Sequence, residues 1–207
     1  MTDFPFDAVL FDCDGVLVDS EPITARVLTE MLNELGWAIT FEEATRIFTG
    51  KAVRDELPLI QARTGVALSP EWFAQFRERR NAALDRELRE IPGAPDAVRA
   101  LHRTLAGRIA VASGADRRKV ELQLAKVGIA DCFGERVFSG HEMPRSKPHP
   151  DVYLAAPARW ASIRGVAPWL RTPSPAPPPA WRRAPRCSAT APMPTATAAP
   201  KRCAAWA

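Results

Sequence analysis

Acid is missing from the end of this chain. Asp151 is the last acidic residue, and residues 152–207 contain neither Asp nor Glu. An N-terminal basic segment leading into an apolar one is also missing; residues 1–7 are short and acidic, so no secretory signal is expected. No apolar run is long enough to cross a bilayer, which excludes a spanning segment and argues against a membrane partner. The four cysteines (Cys13, Cys132, Cys187, Cys203) form no CxxC pair. That argues against a zinc or disulfide framework and points to reduced thiols in a cytoplasmic protein. Cys13, flanked by two acids, reads as a small buried filler, because neighbouring carboxylates raise a thiol's pKa.

The missing acid also explains the charge. The net +4 averages two unlike parts. Residues 152–207 carry eight basic side chains and no acid, so residues 1–151 hold 20 basic against 24 acidic ones. The basic character belongs to the tail and implies no nucleic-acid partner for the folded part. Eleven of the 20 prolines fall in the same tail. Proline at that density removes backbone donors and prevents helices and central strands. Residues 157–207 are therefore expected to be an irregular Pro/Arg/Ala-rich tail. It is either a natural disordered segment or out-of-frame translation beginning near Ala156, and its composition favours the second.

What is present begins with a short apolar run, residues 8–11, that stops at Asp12-Cys13-Asp14-Gly15. Bounded apolar runs of this length read as buried strands, although periodicity alone also fits a piece of helix, and Gly15 argues for a tight exit from a strand. Asp12 and Asp14 then lie at the carboxyl end of a strand, where open α/β sheets bind ligands. Two carboxyl groups at one locus suit a hard cation, or a division of labour between nucleophile and acid/base.

Residues 20–89 follow as a run of helices. Ser20 with Pro22 starts one, Thr40 with Glu43 makes a capping box, and Ser69-Pro70 opens another. Residues 53–63 are expected to form a single helix between them. Strand and helix signals then alternate over residues 90–156, with strands near 109–112 and 136–139. Alternation implies a parallel sheet with right-handed crossovers. The second strand ends at Ser113-Gly114, and the loop after the third carries Ser146-Lys147-Pro148. The strand ends thus deliver a carboxylate pair, a hydroxyl beside a glycine, and a lysine, which is the set that phosphoryl transfer needs.

These motifs resemble the first three of the haloacid dehalogenase-like hydrolase superfamily. The helical insert after the first motif is similar to the α-helical cap of its phosphoglycolate phosphatase and β-phosphoglucomutase-like branch, and the run from Phe138-Ser139-Gly140 to Lys147-Pro148, together with the cap, resembles small sugar-phosphate phosphatases. The resemblance implies an α/β fold. A Rossmann-like core (1–19 with 90–156) would carry an inserted cap (20–89). It implies phosphate-monoester hydrolysis of a small phosphorylated metabolite with Mg²⁺. Asp12 would be the nucleophile and Asp14 the general acid/base. Both would be metal ligands, Asp14 through its backbone carbonyl. Ser113, Gly114 and Lys147 would bind the phosphoryl group, and Gly50, Lys51 and Arg54 in the cap would touch substrate. An acid at Asp14 argues against dehalogenase chemistry. The family's fourth motif, a further strand followed by acids that complete the Mg²⁺ site, is absent. The expected consequences are an open edge beside the catalytic strand and an impaired enzyme. A phosphosugar mutase on the same core is one alternative. A non-catalytic remnant with a basic tail is the other.

Overall fold

The computed structural model describes residues 6–160 and 202–206. The first strand, β1 (Phe6–Phe11), alternates its side chains between two apolar clusters. Val9 and Phe11 join one with Leu105, Ile109, Val111, Leu124 and Phe133, while Ala8 and Leu10 join another with Ala110, Phe138 and Val152. A strand buried on both faces reads as an unbroken apolar run, and that is the mark of a parallel sheet.

Helices α1 (Glu21–Glu34), α2 (Phe41–Phe48), α3 (Leu57–Thr64) and α4 (Pro70–Glu87) form a lobe between β1 and the rest of the sheet. It has its own apolar cluster around Leu28, Met31, Leu32, Ile39, Ile60 and Phe76. The Thr40–Glu43 capping box is formed, and Ser69 accepts from the Trp72 amide. Two details differ from the sequence reading. The expected single helix over 53–63 is a 3-10 turn (Val53–Glu56) followed by α3, because Pro58 sits at the start of the α-helix and lacks an amide for a bond further back. The carboxyl end of α4 leaves the lobe, with Leu84 and Leu88 packing in the sheet's cluster. A two-stranded neck joins lobe to sheet: Asp19 donates to the Arg89 carbonyl at 3.0 Å and Ile91 to that of Leu17 at 3.0 Å.

The chain continues through α5 (Ala94–Thr104), β2 (Ile109–Ser113), α6 (Arg117–Lys126), α7 (Ala130–Phe133), β3 (Val137–Ser139) and α8 (Asp151–Trp160). The final element, β4 (Arg202–Trp206), completes a parallel sheet of order β3-β2-β1-β4. β4 corrects two expectations. The tail is not irregular at 202–206, and among the described residues the edge of β1 is paired, with Phe11 level with Trp206. Cys203-Ala204-Ala205-Trp206 is a proline-free apolar run, and an unpaired strand edge is a template for such a segment. The expectation for 161–201 lies outside the described residues, and so does the question of the tail's origin. Among the described residues no helix is long and apolar enough to cross a membrane.

Candidate active site

The carboxyl ends of β1 and β2 and the loop after β3 converge, so the residues singled out in sequence meet. Asp12 follows β1 directly. Its Oδ1 accepts the Cys13 amide at 2.7 Å, and its Oδ2 accepts from Lys147 Nζ at 2.6 Å, across 135 positions of sequence. Lys147 also lies 4.9 Å from the centre of the Tyr153 ring. Burial alone would lower the pKa of Lys147, but its interactions with Asp12 and Tyr153 together hold it above its ordinary value.

Two glycines make the convergence possible. Gly15 has φ +72°, which turns the chain sharply after Asp14. A Cβ at Gly140 would stand 3.1 Å from Ser146 Oγ and 3.2 Å from Gly114 Cα, so the loops after β2 and β3 touch backbone to backbone. Ser113 is buried, its Oγ accepting the Ala115 amide at 3.1 Å, and Gly114 lies against the Lys147 stem.

Asp14 is held from behind. Its Oδ1 accepts from Lys119 Nζ at 2.8 Å, from Gln123 Nε2 at 2.8 Å and from the Ser20 hydroxyl. Burial would raise this carboxyl, but the Lys119 charge and the three hydrogen bonds prevail and lower it from 3.8 to about 2. Ser20 therefore does not cap α1 as its position suggested, because its hydroxyl is spent on Asp14. Cys13 is fully buried, as expected of a filler, and burial first, then Asp14, pushes its thiol up. Its Sγ donates to Gln123 Oε1 at 3.3 Å.

A cavity of about 710 Å³ opens above these groups, between lobe and sheet. Gly50, Lys51 and Arg54 line its lobe wall. Lys51 is paired with Glu56 at 2.8 Å, and Arg54 Nη2 stands 2.8 Å from His141 Nδ1. Arg80 is buried and reaches from the lobe to Asp116 at 2.8 Å.

Sequence reasoning missed Lys119, Gln123, Arg80 and His141. The first two had one usable signal: they are four apart on α6 and share the face toward β1. Arg80 and His141 had none, because each meets its partner only across the seam between lobe and sheet.

For a hard cation, these residues offer the Asp12 carboxylate and the Asp14 carbonyl. Among the described residues no cluster of three His, Cys, Asp or Glu could hold a metal. Each of the two carboxylates also already faces a lysine. The described donor set is thus short of what Mg²⁺ takes.

Comparison with known proteins matches the same architecture. The model of the haloacid dehalogenase-like hydrolases aligns with residues 6–161. The 6-phosphogluconate phosphatase of Escherichia coli K12 is 32% identical over 151 residues, 72% of this chain and 66% of that protein. A phosphorylated carbohydrates phosphatase of Thermotoga maritima is 28% identical, covering 72% of this chain and 68% of that one. A crystal structure of a HAD family hydrolase from Deinococcus radiodurans R1, with bound phosphate and sodium, has a TM-score of 0.55 at 34% identity, over 76% of this chain and 68% of that one. This chain thus spans about two thirds of the length of the curated relatives it matches. With the family model covering β1 through α8 and the acid, serine and lysine motifs all inside that span, the chain belongs to the haloacid dehalogenase-like hydrolase family.

Proposed function

We propose that this chain is a phosphatase of small phosphorylated metabolites of the sugar-phosphate type, working through an aspartyl-phosphate. One observation carries the reading: Asp12 and Lys147 in contact at 2.6 Å, with Asp14 two residues on, beneath a cavity walled by cationic side chains. The names of the relatives above support the substrate class.

In the first step an Asp12 oxygen attacks phosphorus, the bond to the ester oxygen breaks, and Asp14 gives that oxygen its proton. Lys147, the Ser113 hydroxyl and the amides after β2 hold the non-bridging oxygens, where charge shifts as the bond breaks. In the second step Asp14 takes a proton from water, which attacks the aspartyl-phosphate and frees inorganic phosphate and Asp12. A carboxyl at about 2 suits the second step as it stands. The first needs it protonated, and a phosphoryl dianion entering the cavity raises its pKa by like-charge repulsion. The helical lobe acts as a cap that excludes water and contacts the organic part through Gly50, Lys51 and Arg54.

Mg²⁺ dependence is the family's expectation. With the described donors short of the oxygen set the ion takes, weak Mg²⁺ binding and slow turnover are expected. The chain works in the cytoplasm without nucleic-acid or membrane partners.

The test is free-phosphate release from a panel of sugar phosphates in millimolar Mg²⁺, for this chain and Asp12→Asn. Release that disappears in the variant supports the reading. Conversion of a sugar phosphate to its isomer without phosphate release selects the mutase. No turnover from well-folded protein selects the remnant.

A further inference from the structure

The reaction does not by itself require a lysine and a glutamine behind the acid/base carboxylate. Lys119 is 6% exposed, Gln123 is fully buried, and both sit on the face of α6 that meets the end of β1. A buried ion pair adds little stability over apolar residues of similar size, so stability alone is a weak reason for a lysine there. Geometry offers a better one. All three donors converge on Oδ1 of Asp14, from Lys119, Gln123 and Ser20, and Oδ2 has no partner among the described residues. A carboxylate is planar, so three donors on one oxygen stop rotation about its Cβ–Cγ bond. Asp14 lines the cavity, and the oxygen left over is the one available to a ligand.

We propose that Lys119 and Gln123 are positioning residues for Asp14: by holding Oδ1 they aim Oδ2 at the leaving oxygen of the substrate. Gln123 is itself oriented, because its Oε1 accepts from the Cys13 thiol while its Nε2 donates to Asp14. Cys13 thereby helps set the acid from beneath, without reacting. The inference rests on the phosphatase reading of Asp14.

The experiment compares two substrates in the full chain. An alkyl ester, such as a sugar phosphate, needs its leaving oxygen protonated, whereas p-nitrophenyl phosphate departs as a stable phenolate and needs no acid. kcat/KM reports steps only as far as alcohol release. Gln123→Met, which removes a donor to Oδ1 and leaves the Lys119 charge in place, is expected to lower kcat/KM for the sugar phosphate about tenfold or more, and that for p-nitrophenyl phosphate less than about threefold. Lys119→Arg, which can still donate to Oδ1, is expected to stay within about tenfold of the parent on both. Equal losses on the two esters overturn the proposal, since a structural defect does not discriminate leaving groups. If the parent releases phosphate from neither ester, the phosphatase reading fails instead. A double-mutant cycle on urea midpoints then decides the contact. Additive shifts for Lys119→Met and Asp14→Asn overturn it, and a combined shift smaller than the sum supports the placement.

Discussion

Asp116→Asn tests how the helical lobe is fastened to the sheet. Arg80 on α4 is 6% exposed, and its Nη2 lies 2.8 Å from Asp116 Oδ2 at the start of α6. Its Nε and Nη2 also donate to Asn81, and its guanidinium lies 5.7 Å from the Phe76 ring. Asp116 Oδ1 caps α6 by accepting the Lys119 amide at 3.0 Å. The asparagine keeps the shape and the capping oxygen, but its NH2 replaces the Oδ2 acceptor, so Arg80 loses both the charge and the hydrogen bond and faces a donor. Arg80 is then buried without its anion. Breaking a buried pair costs about 3–5 kcal/mol. Because the Asp116 side chain is 18% exposed, the expected cost lies just below that range, about 2–3 kcal/mol, or roughly 5–10 °C in Tm. Urea unfolding of the variant measures it. Adding Arg80→Met, which fills the space beside Phe76 without a charge, is expected to recover at least half of the loss. A loss under about 0.5 kcal/mol, the range of an exposed ion pair, would refute the argument that this contact is desolvated and carries the seam.

Two further outcomes follow from the same geometry. Asp14 has a lowered carboxyl in the folded state, so its contribution is complete above its ordinary 3.8 and is lost as pH falls toward about 2. In metal-free buffer, stability is expected to fall by about 2 kcal/mol more for this chain than for Asp14→Asn between pH 5 and pH 2, as read from urea midpoints. Gly140→Ala places a methyl 3.1 Å from Ser146 Oγ and 3.2 Å from Gly114 Cα, so the loops that carry Ser113 and Lys147 must part by a few tenths of an ångström. It is expected to lower phosphate affinity at least tenfold by calorimetry, with a loss in Tm of only a few degrees.

The sequence by itself determined the sheet and the chemistry that the sheet carries. The run 8–11 is apolar at every position, which suits a short strand covered on both sides, and the break at Gly15 favoured that over a piece of helix. Strand and helix signals alternate through β3, so parallel pairing followed, and with it the gathering of Asp12, Asp14, Ser113 and Lys147 at one end. Capping residues at Thr40 and Ser69 were legible because a cap is a local bond between neighbours in sequence. Tertiary structure alone decided the rest. Ser20 looked like a helix cap, and only the fold brings its hydroxyl to Asp14 instead. Lys119 and Gln123 were not singled out in the sequence, and burial against β1 makes them donors to Asp14. Arg80 found its anion 36 residues away. The tail read as unable to order, yet Arg202–Trp206 pairs with β1, because an open strand edge recruits any short proline-free segment that reaches it. Apart from Ser20, six residues from Asp14, each deciding contact spans tens of residues or more, and a pattern read along one chain carries no signal for a partner that only folding supplies.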